Sequence, residues 1–514
     1  MSRELFLGVD IGTYSSKGVV TDAGGAIVAT ASTPNTVDFP TPGQAEQDPE
    51  HVWWAGLCEV TRRLVEQLGA SRSPDDIAAV GISAIGPCMV PMDSKSQPLR
   101  PGILYGIDTR AVCEIEEIED TLGPDELLGW SRMELSSQAI GPKIAWYRRN
   151  EPDLFGLTLR IGTATSYLVF RLTGEFAIDH HQAAHFIPLY DPANQCWSER
   201  YSAGICDIKL LPKLGWPTDI AGAVLEEAAI QTGIPRGTPV TIGTVDALSE
   251  AVSVGAIDSG DLMIMYGSTG FFILTTNEPV VRTPLWSLPG AFPKSNVLAA
   301  GMATTGALTR WLAEFSFDDG VEGKDEIASR YETLFNEAEQ VAPGSDGLLM
   351  LPYFSGERTP INDPLARGVI AGLSLAHTRG HVFRAALEGI AFGIRHNLEY
   401  LAEEAPVVRC VAVGGGTQSQ SWLQLVTDVT GRAQLLPDQT VGASYGDAFL
   451  AAIGTGVRKI RDLPDWVRHR DEIRPDVDQK PFYDVRFREY LDLYNATRPV
   501  VHDLANDTAG KGGS

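Results

Sequence analysis

Cysteine is scarce in this 514-residue chain: there are six, and none forms a CxxC pair. Thiols so few and so spaced argue against a disulfide-stapled scaffold, and they are expected to stay reduced in a cytoplasm. Long apolar runs are also missing. No stretch approaches the roughly 18 residues a membrane-spanning helix needs, and Asp10 cuts short the apolar start LFLGV. Neither a membrane span nor a targeting leader is expected. Positive charge is in deficit, with 41 Lys and Arg against 66 Asp and Glu and a formal charge of −25. Such a surface repels phosphate backbones and anionic lipid, so nucleic acid and membrane are poor general partners. No GxxxxGK[ST] run and no strand–GxGxxG–helix unit occurs, which argues against a P-loop or a dinucleotide fold.

What is present is a globular composition punctuated by 52 glycines and 32 prolines. Strand-like and helix-like segments alternate, which implies an α/β protein of two or three domains. LFLGVDIG and GVVTDAGGAIVATAS read as strands with a turn at Gly24-Gly25. IAAVGISAIG, GILYGID, PVTIGTVD and VVRCVAVGGG read as buried strands. In HVFRAALEGIAFGIRHNLEYLAEEA, apolar residues recur at i+3 and i+4 from Val382 to Leu401 and predict a long helix. WLQLVTDVTG and DAFLAAIGTG read as helices closed by glycine. FLGVDIGTYSSKGVV and DLMIMYGSTGFFILTT share one plan, an apolar strand, a Gly/Thr/Ser turn and a second apolar strand. Two such hairpins half a chain apart are what a duplicated fold would carry.

The chemistry-bearing residues cluster at strand ends. Asp10 closes an apolar strand before Gly12-Thr13, where it is either a turn-forming carboxylate or a ligand for a nucleotide-bound cation. Asp246 follows a strand and precedes a helix; it is either an N-cap or a carboxylate able to take a proton from a hydroxyl. Three glycine turns, at Gly12-Thr13, Gly267–Gly270 and Gly414–Thr417, can offer backbone amides to phosphates. Asp179, His180, His181 and His185 read as polar loop residues near a cleft rather than a metal site. Gly442–Gly446 formally matches GxSxG around Ser444, but the preceding PDQTV is a poor buried strand.

Taken together the sequence resembles the FGGY family of carbohydrate kinases, which includes xylulokinase, ribulokinase and glycerol kinase. GVIAGLSLAHTRGHVFRAALE, Gly368 to Glu388, fits the family's C-terminal signature, and GERTPINDPLARG, FRLTGEFAID and VGGGTQSQSWLQLVTDVTG are equally typical. The resemblance runs from about Leu5 to about Tyr494. It implies two ribonuclease-H-like, actin-like ATPase domains with a cleft between them: 1–250 for the sugar, 251–490 for the nucleotide, and a helix end with a flexible tail over 491–514. ATP and Mg²⁺ are the implied cofactors, a ketopentose such as D-xylulose the implied acceptor, and a homodimer is one assembly the family allows. Carried over by position, Asp10 stands near the metal and Asp246 is the base. Gly12, Thr13, Lys17, Gly267, Ser268, Thr269, Gly306, Gly415, Gly416 and Thr417 surround the nucleotide. Asp108, Gln138, Gly86, Pro87 and Asp246 belong to the sugar pocket. That pocket is remodelled: Gly86-Pro87 replaces the Met-His of xylulokinases and the Arg-Glu of glycerol kinases, and Tyr105–Asp108 is one residue longer than the usual WND or WQD. Two other classes stay open, a serine hydrolase using Ser444 and a non-catalytic sugar sensor.

Overall fold

The structure is a computed structural model that describes residues 4–69, 72–317, 324–439 and 441–509. The expected glycine-rich tail, 510–514, lies outside them. The chain divides into two compact units. The first comprises 1–259, 275–297 and 441–468; the second comprises 260–274, 298–440 and 469–514. It thus passes between units more often than consecutive blocks 1–250 and 251–490 would require.

The first unit holds strands β1 (Leu5–Ile11), β2 (Ser15–Asp22), β3 (Ile27–Pro34) and β4 (Ile77–Ala84), helix α1 (Ile140–Asn150), strands β5 (Pro239–Thr241) and β6 (Thr244–Val245), and helix α2 (Asp246–Ser253). The second holds β7 (Asp261–Tyr266), β8 (Gly270–Thr276), β9 (Asn296–Met302), helices α3 (Gly306–Phe315) and α4 (Arg379–Ala402), β10 (Arg409–Val413), α5 (Gln420–Thr430) and β11 (Gln434–Pro437). Helix α6 (Ala443–Gly454) belongs to the first unit again, while β12 (His469–Ile473) and α7 (Lys480–Ala509) close the second.

Both sheets follow one plan. The first runs β3-β2-β1-β4-β5, and the second runs β9-β8-β7-β10-β11. In each, the first hairpin is antiparallel and its leading strand pairs in parallel with the strand beyond, β1 with β4 and β7 with β10. The parallel strands of the first unit are buried on both faces, so they read as near-continuous apolar runs, Leu5, Leu7, Val9, Val80 and Ile82 being wholly inside. Helix α6 lies directly on β1 and β4. A Cβ on Gly8 would meet the Ser444 carbonyl at 1.9 Å, and one on Gly81 the Asp447 carbonyl at 2.0 Å. Only glycine at these two positions lets the helix backbone sit on the sheet.

The strands expected around the hairpins form as predicted, as do α4 and α5. GILYGID does not: only Gly102–Ile103 is strand. Beyond it Leu104 N still bonds Ala45 O, but the Leu104, Tyr105 and Gly106 carbonyls and the Gly106 N–H go to side chains.

Candidate active site

In the first unit, three strands deliver chemistry to one edge of the sheet. Asp10 stands opposite Ser83 in the parallel β1–β4 pair, and β6 pairs with the last residues of β4 just before Asp246. These are the carboxyl ends of parallel strands, where α/β sheets bind ligands. The Ser83 hydroxyl lies 3.1 Å from Asp10 Oδ1 and 2.7 Å from Asp447 Oδ2, while Ser249 Oγ donates to Asp447 Oδ1 at 2.7 Å. Asp246 is the first residue of α2. Its carboxylate accepts only from the adjacent Ala247 N–H, at 2.7 Å, so it does not act as a plain N-cap.

The electrostatics of this edge are one-sided. Burial raises the proton affinity of Asp10, offset in part by Lys17, its partner across the hairpin, and by the Ser83 hydroxyl. Burial and the Asp10 charge raise Asp246 as well. The same causes push Glu250 up to about 7. Burial holds Asp447 well above the usual carboxylate range. Four carboxylates thus gather at this edge, and Lys17 offsets the charge of two of them, Asp10 and Glu250. Hard oxygen donors in such excess suit a divalent cation such as Mg²⁺. Among the described residues no group of three or more His, Cys, Asp or Glu is arranged to hold a metal alone. Mg²⁺ is commonly held by one or two carboxylates together with substrate phosphates.

The turn beside Asp10 is tied from below. Gly12 N bonds Ser15 O at 3.0 Å, Asn35 Nδ2 donates to Gly12 O at 2.7 Å, and Gln47 Nε2 donates to Thr13 O at 2.8 Å. Gln47 is itself held by Trp53 Nε1 at 2.8 Å. Asn35 and Gln47 carry no local motif and were invisible in the sequence.

Gly86, half-buried, approaches the strand that ends at Asp246, since a Cβ there would meet Val245 Cγ2 at 2.9 Å. Pro87 beside it is buried. Asp108 is wholly buried and its oxygens are occupied. Oδ2 accepts from Ala45 N at 2.7 Å and from Arg110 Nη2 at 2.7 Å, and Arg110 Nε lies 2.9 Å from Oδ1. Gln138 Oε1 accepts from Gly106 N at 3.1 Å. These partners explain the missing strand: Leu104, Tyr105 and Gly106 spend their backbone bonds on Lys143, Ser137 and Gln138.

Asp179–His185 is a buried corner rather than a polar loop. Strand Ala177–Asp179 runs into a one-turn helix at His180–Ala183. Asp179 accepts from Thr244 Oγ1 and Gln182 Nε2, each at 2.8 Å, and thereby braces β6. His181 Nδ1 lies 2.7 Å from the Pro289 carbonyl, and the His181 and His185 rings pack edge-on at 5.9 Å. Burial pushes His181 down to about 4 and His185 to about 3. Ser444 is equally far from a nucleophile elbow. It sits in the first turn of α6, fully buried, its hydroxyl without a hydrogen-bond partner, so the hydrolase reading is set aside. A cavity of about 570 Å³ is lined by Glu114, Ala145, Arg148, Arg149, Arg200 and Tyr201 among others and includes none of the predicted site residues.

The second unit supplies the other glycine turns. The Gly267 and Ser268 carbonyls accept from the backbone of Thr305, Gly306 and Ala307 at 3.0 Å, and Thr305 Oγ1 adds a bond to Gly267 O at 2.8 Å. A Cβ on Gly306 would meet Gly267 O at 2.6 Å. Gly414 and Gly416 pack on Tyr266, just before that turn, while Gly415 has open space above it and Thr417 is half-buried. The three glycine segments of this unit therefore converge.

The match to known proteins covers both units. Residues 5–253 fit the N-terminal domain of the FGGY family of carbohydrate kinases, and residues 262–455 fit its C-terminal domain. The chain belongs to the FGGY family of carbohydrate kinases. It is thus a sugar kinase of the two-domain FGGY fold, with ATP as phosphoryl donor. Xylulose kinase of Escherichia coli K12 is 30% identical over 97% of this chain and 100% of its own length. Gluconokinase of Bacillus subtilis is 28% identical over 88% and 87%. The crystal structure of xylulose kinase from Rhodospirillum rubrum superposes with a TM-score of 0.88, at 30% identity, covering 97% of this chain and 100% of that one. No helix among the described residues is long and apolar enough to cross a membrane.

Proposed function

We propose that this FGGY kinase transfers the γ-phosphoryl group of ATP to the terminal hydroxyl of a ketopentose, D-xylulose first among them, in the cytoplasm and with Mg²⁺. The observation that carries the mechanism is the pair of carboxylates with raised proton affinity, Asp10 and Asp246, at the ends of the two strands that pair with β4. The substrate assignment is supported by whole-length likeness to proteins named xylulose kinase.

In this reading Asp246 accepts the proton of the sugar hydroxyl as its oxygen attacks phosphorus. The bond from phosphorus to the bridging oxygen breaks, and ADP leaves with the electron pair. Its raised proton affinity suits a base that must hold that proton once the transfer is complete. Asp10 would hold Mg²⁺, which supplies charge neutralisation at the β- and γ-phosphates. Gly12 and Thr13 of the first unit offer backbone and hydroxyl groups to phosphate, with Lys17 adding positive charge beside Asp10; within the second unit, Gly267–Thr269, Gly306 and Gly415–Thr417 are the proposed nucleotide contacts. Gly86 and Pro87 provide no side-chain hydrogen bonds, so a three-carbon triol gains little there and a longer sugar is favoured.

The test is kcat/KM across D-xylulose, L-xylulose, D-ribulose, L-ribulose, D-fructose, D-gluconate and glycerol. D-Xylulose is expected to lead. Glycerol or gluconate leading would refute the pentulose assignment, and another ketulose leading would move the substrate without touching the mechanism.

A further inference from the structure

One buried cation has no role in the chemistry above. Lys143 is 1% exposed, and its ammonium has no carboxylate hydrogen-bonded to it. An ammonium taken out of water is costly unless its donors are used. Lys143 spends two of them on consecutive carbonyls, Leu104 O at 2.5 Å and Tyr105 O at 3.0 Å. Two neighbours on the same segment complete the grip. Ser137 Oγ donates to Gly106 O at 2.9 Å, and Gln138 Oε1 accepts from Gly106 N at 3.1 Å. The turn closes on itself through Asp108 N to Tyr105 O at 2.9 Å.

Three facts give this grip a direction. The anchor is firm, because α1 packs so closely on its support that a Cβ on Gly141 would meet the Ile187 carbonyl at 1.8 Å. The far end of the turn is also fixed, because Asp108 is pinned by Ala45 and Arg110. What projects from between is Tyr105, whose hydroxyl lies 3.5 Å from Thr13 Oγ1 in the glycine turn beside Asp10. The Tyr105 side chain thus joins the lysine-held segment to the phosphate turn, and its placement follows from the two carbonyls that Lys143 holds.

We propose that Lys143 is a positioning residue for the acceptor: it fixes the Leu104–Asp108 turn so that Tyr105 and the backbone around it form one wall of the sugar subsite next to Thr13. The proposal rests on the kinase reading, and it assigns Lys143 no contact with substrate. Asp108, expected to touch the sugar, becomes the second anchor of the same wall.

Lys143→Met keeps an unbranched, slightly shorter side chain and removes the donors. It is expected to raise KM for the preferred sugar at least tenfold, while KM for ATP and sugar-independent ATP hydrolysis stay within twofold. Ser137→Ala removes one weaker tether and should raise sugar KM two- to fivefold, again without moving KM for ATP. It serves as the test if Lys143→Met fails to fold. Lys143→Arg, which restores a cationic donor, should recover part of the sugar affinity. A lower melting temperature with both KM values unchanged in Lys143→Met and Ser137→Ala would overturn the proposal and leave Lys143 a purely structural group. Equal rises in both KM values would overturn it too. The proposed mechanism fails separately, through full activity in Asp246→Asn, which would remove Asp246 as the base and leave the Lys143 contacts intact.

Discussion

The two sheets share a strand order and a leading hairpin, yet only one hairpin carries a carboxylate at its rim. In the first unit the last hairpin pair is Ile11 with Ser16; in the second it is Tyr266 with Gly270. Counting back one pair, Asp10 in β1 occupies the position of Met265 in β7. The scaffold is the same and the chemistry is not. Around Asp10 gather Asp246, Glu250 and Asp447, all with raised proton affinity. Around the Gly267 turn gather glycines, threonine and backbone amides. In the proposed reading, one copy of the plan holds a cation and moves a proton, and the other cradles an anion. Within the hairpins themselves the difference is Asp10 in one and Met265 in the other.

The sharpest way to break this contrast is Asp246→Asn. Losing a general base costs about 10²- to 10⁴-fold in kcat, and the variant should keep its melting temperature and its ATP affinity by calorimetry. Next comes the paired test. Asp10→Ala should raise the Mg²⁺ concentration for half-maximal rate at least tenfold, whereas Met265→Ala should leave it unchanged; equal shifts would erase the distinction. Gly306→Ala acts on the other side. Its Cβ must displace the Gly267 carbonyl, so KM for ATP should rise severalfold with sugar KM preserved.

The fourth test is pH. His181 and His185 titrate near 4 and 3 when folded, below the usual histidine value of 6.5. The unfolded chain therefore binds more protons between those values, and stability falls as pH drops below about 6.5. Buried carboxylates with raised values, Asp179 at about 6 among them, work the opposite way over the same range by relieving buried charge. Replacing both histidines with Gln should flatten the acid limb of a melting-temperature profile. The smallest effect belongs to Ser444→Ala, which removes an unpartnered buried hydroxyl and should leave kcat and KM within twofold.

Much of this was legible in the sequence, for local reasons. The hairpins show as apolar runs around Gly/Thr/Ser turns, and α4 as a 3.6-residue period. The acidic residues at strand ends declare themselves because charge is rare beside buried strands. What stayed hidden is non-local. Asn35 and Gln47 reach the Gly12 turn from separate segments, and Ser83 reaches Asp447 across 364 residues of chain. GILYGID misleads for the same reason: its apolar residues match a strand, but Lys143 of α1 and Gln138 from the turn before it take backbone bonds a neighbouring strand would have taken. The histidines of 180–185 look like loop residues because their partners, Pro289 and Tyr190, lie outside any local pattern.

The path of α6 has a consequence for the ribosome. The face of β1 and β4 that carries Gly8 and Gly81 is shaped to receive a helix backbone, and that helix is encoded some 360 residues later. At roughly 5–20 residues per second, the first sheet is complete well before its cover emerges. The nascent first unit must wait, with an apolar face open, while 260–274 and 298–440 of the second are made. A chain that stops at residue 440 would retain every glycine turn and both Asp10 and Asp246, yet lack the helix that roofs them. Such a fragment should depend on chaperones or aggregate, and supplying 441–468 as a separate peptide is the direct way to rescue it.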